Sequence, residues 1–323
     1  MLFLQIAILI LGFVFLIKGA DFFVDSASAI ARIFHIPSVI IGLTIVSFGT
    51  SLPELAVSVT SAIKGVEGIA IGNVVGSNIV NLMLVAGVTA LIIPVEIEKK
   101  LLTKDFPFSI LCAALLLLII SDIRFAGASK NVITRADALI LLMFFAVYMY
   151  SVVHSTLSEK STETRDDEND AESTEKSSTI KSVLFLIIGL AGIIAGGQMT
   201  IKSATWIAHF AGMSDRLIGL TIIAFGTSLP ELITSIVAAS KGENDIAMGN
   251  VVGSNIFNIL FILGTATVIR PLEVSGGSFI DIAVLIFCSI VVCLLALPKK
   301  KLTRLSGLVM TALYISYTLY IFM

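Results

Sequence analysis

Apolar residues along this chain gather into ten stretches, about 2–24, 36–63, 67–92, 105–121, 137–155, 182–205, 215–240, 244–268, 278–297 and 305–322. A bilayer core needs roughly 20 apolar residues per spanning helix. The pattern therefore predicts an all-α polytopic membrane protein with ten transmembrane helices. Connections are short except for residues 156–181 (TLSEKSTETRDDENDAESTEKSSTIK), which are polar and net acidic. Such a segment cannot bury a core and reads as a flexible linker. It divides the chain into five helices in 1–155 and five in 182–323.

Composition agrees: 323 residues are 57% hydrophobic and only 14% charged, with a mean hydropathy of +1.02. Net charge is −2, so nothing suggests a nucleic-acid partner, and no obligatory protein partner is evident. Cys112, Cys288 and Cys293 fall inside apolar runs without CxxC spacing and read as packing residues. The first stretch, MLFLQIAILILGFVFLI, has neither a basic leader nor a small-residue cleavage site and reads as a retained helix. Of the 21 Lys and Arg residues, 14 fall on the side where the first helix exits. Basic residues stay in the cytoplasm, so the expectation is a cell (inner) membrane protein with both termini outside and the acidic linker inside.

Self-similarity is the strongest signal. Residues 42–87 and 219–264 align without a gap at an offset of 177, with 28 identities in 46 positions, many at polar and glycine positions. An odd number of helices per half turns the second copy over. Inverted repeats of this kind build a shared site near the membrane midplane and suit alternating access.

Each copy carries GTSLPE, with Glu54 in the first and Glu231 in the second. A carboxylate in an apolar helix is costly and normally faces a partner or a water-filled cavity. No Lys or Arg stands beside either one, which leaves a bound cation as counter-charge. The alternative is a protonated glutamate hydrogen-bonded between helices. Thr50 with Glu54, and Thr227 with Glu231, are four apart and would share a helix face. Ser51 and Ser228 add hydroxyls. Pro53 and Pro230 have no N–H, so a kink and freed carbonyls at Gly49 and Gly226 are expected.

The following helix of each copy reads GNVVGSNIVN or GNVVGSNIFN, placing Ser77 with Asn81, and Ser254 with Asn258, on one face. For Asn73, Asn78, Asn250 and Asn255, bonding across helices and ion ligation are both open. All these donors are oxygens, with no Cys or His, which argues against zinc, copper or iron. Calcium takes roughly 6–8 oxygens, and two ionised glutamates neutralise one Ca²⁺ or two Na⁺. No cofactor is expected; the bound species would be transported Ca²⁺ and Na⁺.

With both motif copies in place, the chain resembles the calcium/cation antiporter superfamily, specifically its prokaryotic sodium/calcium exchanger branch. The resemblance implies ion ligands at Thr50, Ser51, Glu54, Ser77 and Asn81, and at Thr227, Ser228, Glu231, Ser254 and Asn258. It adds backbone carbonyls at Ser47 and Ala224. Some relatives carry Asp where this chain has Asn258, which weakens potassium co-transport and leaves two acids instead of three. The competing readings are proton/calcium exchange, a passive cation channel and an intramembrane enzyme. Ser51 and Ser228 sit in no nucleophile elbow, and His35, His154 and His209 lie away from the motifs. The acidic linker could also sense calcium, although it lacks the loop glycine and ligand spacing of an EF-hand.

Overall fold

The computed structural model describes residues 1–121, 130–163, 172–213, 224–274 and 276–322. Its helices are α1 (Leu2–Ile33), α2 (Ser38–Thr50), α3 (Leu52–Lys64), α4 (Glu67–Ile92), α5 (Leu101–Ile119), α6 (Arg135–Glu163), α7 (Glu172–Phe210), α8 (Ala224–Thr227), α9 (Leu229–Ser240), α10 (Asn244–Ile269), α11 (Gly276–Ala296) and α12 (Arg304–Phe322). Two-residue strands β1 (Val95–Glu96), β2 (Val132–Ile133), β3 (Leu272–Glu273) and β4 (Lys301–Leu302) lie between them. The chain is thus a mostly helical, multi-span membrane protein. Among the described residues seven helices are long and apolar enough to cross a bilayer, or eight if α2 and α3, bent by 48°, form one span.

Several helices outrun their apolar stretches. α1 continues to Ile33, because the polar residues of its last turns face protein. Lys241 bonds Asp21 and Asp25, while Glu243 takes Ser28 and lies 3.6 Å from Arg32. α6 and α7 extend into the expected linker from both sides, to Glu163 and from Glu172; Glu and Lys are good helix formers even without an apolar face. Residues 164–171, and the expected start of the seventh stretch at 215–223, lie outside the described residues.

α4 and α10 form the centre. In each, more than 70% of the most apolar window is buried, against about a fifth in α1, α6 and α7, whose outer faces carry the exposed Leu, Ile and Phe expected to meet lipid. α1 crosses α7 on glycines. A Cβ on Gly12 would lie 3.0 Å from the Gly196 carbonyl, and one on Gly19 2.8 Å from the Gly189 carbonyl. The reverse distances, from Gly196 to the Gly12 carbonyl and from Gly189 to the Gly19 carbonyl, are 2.6 and 2.8 Å. Backbones pack directly here, the arrangement that small residues permit between membrane helices. Gly12 and Gly189 are 177 apart in sequence, as are Gly19 and Gly196.

The strands repeat this exchange. β1 pairs antiparallel with β4, and β2 with β3, while β1 and β3 are themselves 177 apart. Glu96 of β1 meets Lys301 at 3.3 Å, and its counterpart Glu273 of β3 meets Lys130 at 3.0 Å. Likewise Arg304 donates to the carbonyl of Ile92, and Arg135 to that of Ile269. Each half of the chain therefore caps the other at both ribbons.

Candidate cation site between the two GTSLPE segments

Identical sequence produces identical local backbone. Ser51 has φ −85 and ψ 7, and Ser228 has φ −88 and ψ 5. Each ends one short helix, and a proline in the first turn of the next has no N–H to lose there. The expected kink is present as the 48° bend between α2 and α3. It puts Glu54 and Glu231 in the first turns of α3 and α9 rather than in mid-helix. The partial positive charge of a helix N-terminus favours a carboxylate there. Both side chains are fully buried.

The bend also changes which hydroxyl meets which acid. On a straight helix Thr50 would flank Glu54, but the chain turns between them. Ser51 Oγ instead donates to Glu231 Oε1 at 2.9 Å, with Thr50 alongside that carboxylate. Thr227 and Ser228 stand alongside Glu54. Each acid is therefore served by hydroxyls from the other half of the chain, and the two carboxylates are near enough to interact electrostatically. Glu54 Oε1 and Oε2, Glu231 Oε2 and Ser228 Oγ are buried without a well-formed hydrogen bond. A buried polar group left so costs about 1–3 kcal/mol, more when charged. Several such oxygens gathered around the two acids offer lone pairs with no N–H or O–H to accept from, the chemistry of a cation site.

Around these oxygens the asparagines divide into two sets. Asn73 Nδ2 donates to the Glu54 carbonyl (3.1 Å) and to Ser58 Oγ (2.9 Å). Asn250 Nδ2 donates to Ser235 Oγ (3.1 Å), and Asn250 Oδ1 accepts from Thr50 Oγ1 (3.0 Å). Asn78 Nδ2 donates to the Asn255 carbonyl at 3.1 Å, and Asn255 Nδ2 returns a bond to the Asn78 carbonyl at 3.4 Å. All four residues left open by the sequence thus bridge helices. Asn81 and Asn258 differ. Neither side-chain atom of Asn81 has a partner, and Asn258 donates to Asn78 Oδ1 (3.0 Å) while its own Oδ1 has none. They sit at π-helical turns, 80–85 and 258–263, which re-aim side chains and recur at functional sites.

Of the remaining expected residues, Ser77 and Ser254 are buried, Ser254 Oγ without a partner. The Ser47 carbonyl already accepts from Ser51 N–H at 3.1 Å, whereas Ser228 N–H donates to Phe225 and not to Ala224. The two carbonyl positions are thus unlike in a way the repeat conceals. Thr234 escaped the sequence reading: it is fully buried, its hydroxyl is unpartnered, and it lies one turn beyond Glu231. Its counterpart in the first copy is Val57, and that departure from the repeat was the available signal. Among the described residues no three His, Cys, Asp or Glu side chains converge.

Comparison with known proteins follows the same lines. The profile described as sodium/calcium exchanger protein matches residues 4–153 and 181–323. The putative antiporter CaxA of Alkalimonas amylolytica is 39% identical over 317 residues, covering 97% of both chains. Sodium/calcium exchanger MaX1 of Methanosarcina acetivorans is 33% identical, covering 98% of this chain and 97% of its own. The solved structure of the sodium-calcium exchanger NCX_Mj soaked with 10 mM Na⁺ and zero Ca²⁺ superposes with a TM-score of 0.83 at 33% identity, covering 98% of each chain. With a matching profile over both halves and full-length relatives of this similarity, the chain belongs to the sodium/calcium exchanger family, within the calcium/cation antiporter superfamily.

Proposed function

We propose that this protein exchanges Na⁺ for Ca²⁺ across the cell (inner) membrane by alternating access to one site between Glu54 and Glu231. The observation that carries the reading is the pair of fully buried carboxylates with unpartnered oxygens, each flanked by hydroxyls from the opposite half. Their two charges balance one Ca²⁺ or two Na⁺, so the ions compete for the same oxygens, and a third Na⁺ would leave net positive charge. Thr50, Ser51, Thr227 and Ser228 supply neutral oxygens beside the acids. Ser77, Asn81, Ser254 and Asn258 close the cage from α4 and α10, and the carbonyls of Ser47 and Ala224 complete it.

The same reading makes the two halves inverted five-helix repeats of a ten-helix bundle, with both termini outside. The glycine crossings of α1 and α7 and the mutual Asn78–Asn255 bonds support it, because each joins residues 177 apart or their exchanged partners, and the ribbons add that β1 and β3, 177 apart, each pair with a strand of the opposite half. A local two-fold axis produces contacts of that reciprocal kind.

The test is calcium uptake by vesicles reconstituted with the purified chain. An outward sodium gradient should drive uptake, and an outward proton gradient alone should not. Uptake driven only by protons would replace sodium with H⁺ as the coupling ion. Uptake that dissipates without either gradient would indicate a channel.

A further inference from the structure

The two ribbons have corresponding architecture but different charge. At β2–β3 three basic side chains of the described residues have partners: Lys130 meets Glu273 at 3.0 Å, Arg270 meets Glu67 at 3.2 Å, and Arg135 donates to the carbonyls of Val268 and Ile269. At β1–β4, Lys301 pairs with Glu96 and Lys104 donates to Ser151. Lys99, Lys299 and Lys300 are exposed and have no ion pair among the described residues. These lysines are some 200 positions apart in sequence, and the ribbon brings them to one end of the bundle. The Ile97 N–H donates to the Lys300 carbonyl at 2.8 Å, fixing one lysine group against the other.

Two further observations point to a ligand. Lys300 has φ +48, a left-handed conformation that glycine or asparagine adopts more easily. A cation stands where backbone ease favours another residue. Below it, the helix ends flanking β4 expose Leu294, Leu297, Leu305 and Leu308, each more than half accessible. A cluster of lysines without an acidic partner among the described residues, above an apolar helix wall, matches a molecule with an anionic head and hydrocarbon tails.

We propose that the β1–β4 end binds an anionic phospholipid, its phosphate held by Lys99, Lys299 and Lys300 and its acyl chains lying against the leucines of α11 and α12. The inference rests on the fold and not on the transported ions. A juxtamembrane lysine contributes about 1 kcal/mol to anionic-lipid binding, or roughly five-fold in affinity each. Removing three should cost about a hundred-fold.

The test is native mass spectrometry of the full-length detergent-solubilised protein titrated with phosphatidylglycerol or phosphatidylcholine. Phosphatidylglycerol should be retained preferentially, and rising salt should weaken it. The Lys99→Gln/Lys299→Gln/Lys300→Gln variant should lose about a hundred-fold in retention, while the matching Lys→Arg triple and Lys130→Gln at the opposite ribbon should bind as the parent does. Circular dichroism and thermal unfolding separate lost binding from lost folding, and the headgroup comparison on the unaltered chain stands without any variant. Equal retention of both lipids, undiminished retention by a folded Gln triple, an equal loss in Lys130→Gln, or displacement by an equal concentration of inorganic phosphate would each overturn the proposal.

Discussion

Glu54→Gln separates the site proposed here from an ordinary buried acid, because its effect should change sign with calcium. Without a cation, two fully buried carboxylates interact with one another and three of their four oxygens lack a well-formed hydrogen bond. Like charges buried side by side repel by a few kcal/mol, on the order of 4 kcal/mol at about 4 Å and an effective dielectric of about 20. Removing one charge relieves that repulsion and a desolvation penalty, so the ion-free variant should be at least as stable as the parent. With calcium the balance reverses. Deleting one partner of a buried charge set costs about 3–5 kcal/mol, a loss of at least about a hundred-fold in affinity. At calcium near 100 times the parent Kd, linkage stabilises the parent by about 2.7 kcal/mol; the same concentration should give the variant no more than about 0.5 kcal/mol. Thermal unfolding in detergent with and without calcium reads both quantities. An unchanged calcium shift, or an ion-free variant clearly less stable than the parent, would refute the reasoning.

Further outcomes follow from the packing and the site. Gly196→Ala would put a Cβ 2.6 Å from the Gly12 carbonyl and the Leu16 nitrogen; it should destabilise the protein by about 1–3 kcal/mol or more and slow transport, as thermal unfolding and vesicle flux would report. Gly68→Ala meets nothing within 4 Å among the described residues and should leave both unchanged or slightly raise stability, alanine being the better helix former. Asn258→Asp sets a carboxylate against Asn78 Oδ1, which now accepts from the Asn258 amide at 3.0 Å; stability without ions should fall by about 1–3 kcal/mol, while sodium titration should show tighter binding. Lys130→Ala breaks an exposed pair with Glu273 and should change stability by less than about 1 kcal/mol.

The membrane class and the site's residue types were legible in the sequence because both rest on local chemistry. An apolar run reports lipid wherever it falls, and GTSLPE announces its proline break wherever it occurs. The repeat was plain in 42–87 and 219–264 but faint elsewhere. Lipid-facing positions accept any apolar residue, so outside the motifs the correspondence survives chiefly where backbones touch, at Gly12 with Gly189 and Gly19 with Gly196. The end of α1 was misjudged because Asp25, Ser28 and Arg32 look like loop residues until Lys241 and Glu243 stand beside them. Spacing along one helix paired Thr50 with Glu54; only the bend and the opposing half reveal that Ser51 serves Glu231. The asparagines were ambiguous for the same reason, since an amide's partner on another helix leaves no trace in its own sequence.

The central claim is that Glu54 and Glu231 hold one divalent cation between them. Crystals soaked in strontium, which stands in for calcium and scatters anomalously, test it most directly. One principal anomalous peak is expected, with carboxylate oxygens of both glutamates in its coordination shell, at or slightly beyond the roughly 2.3–2.6 Å found for calcium. A peak bound by one glutamate alone, or a site elsewhere with both carboxylates vacant, would contradict it.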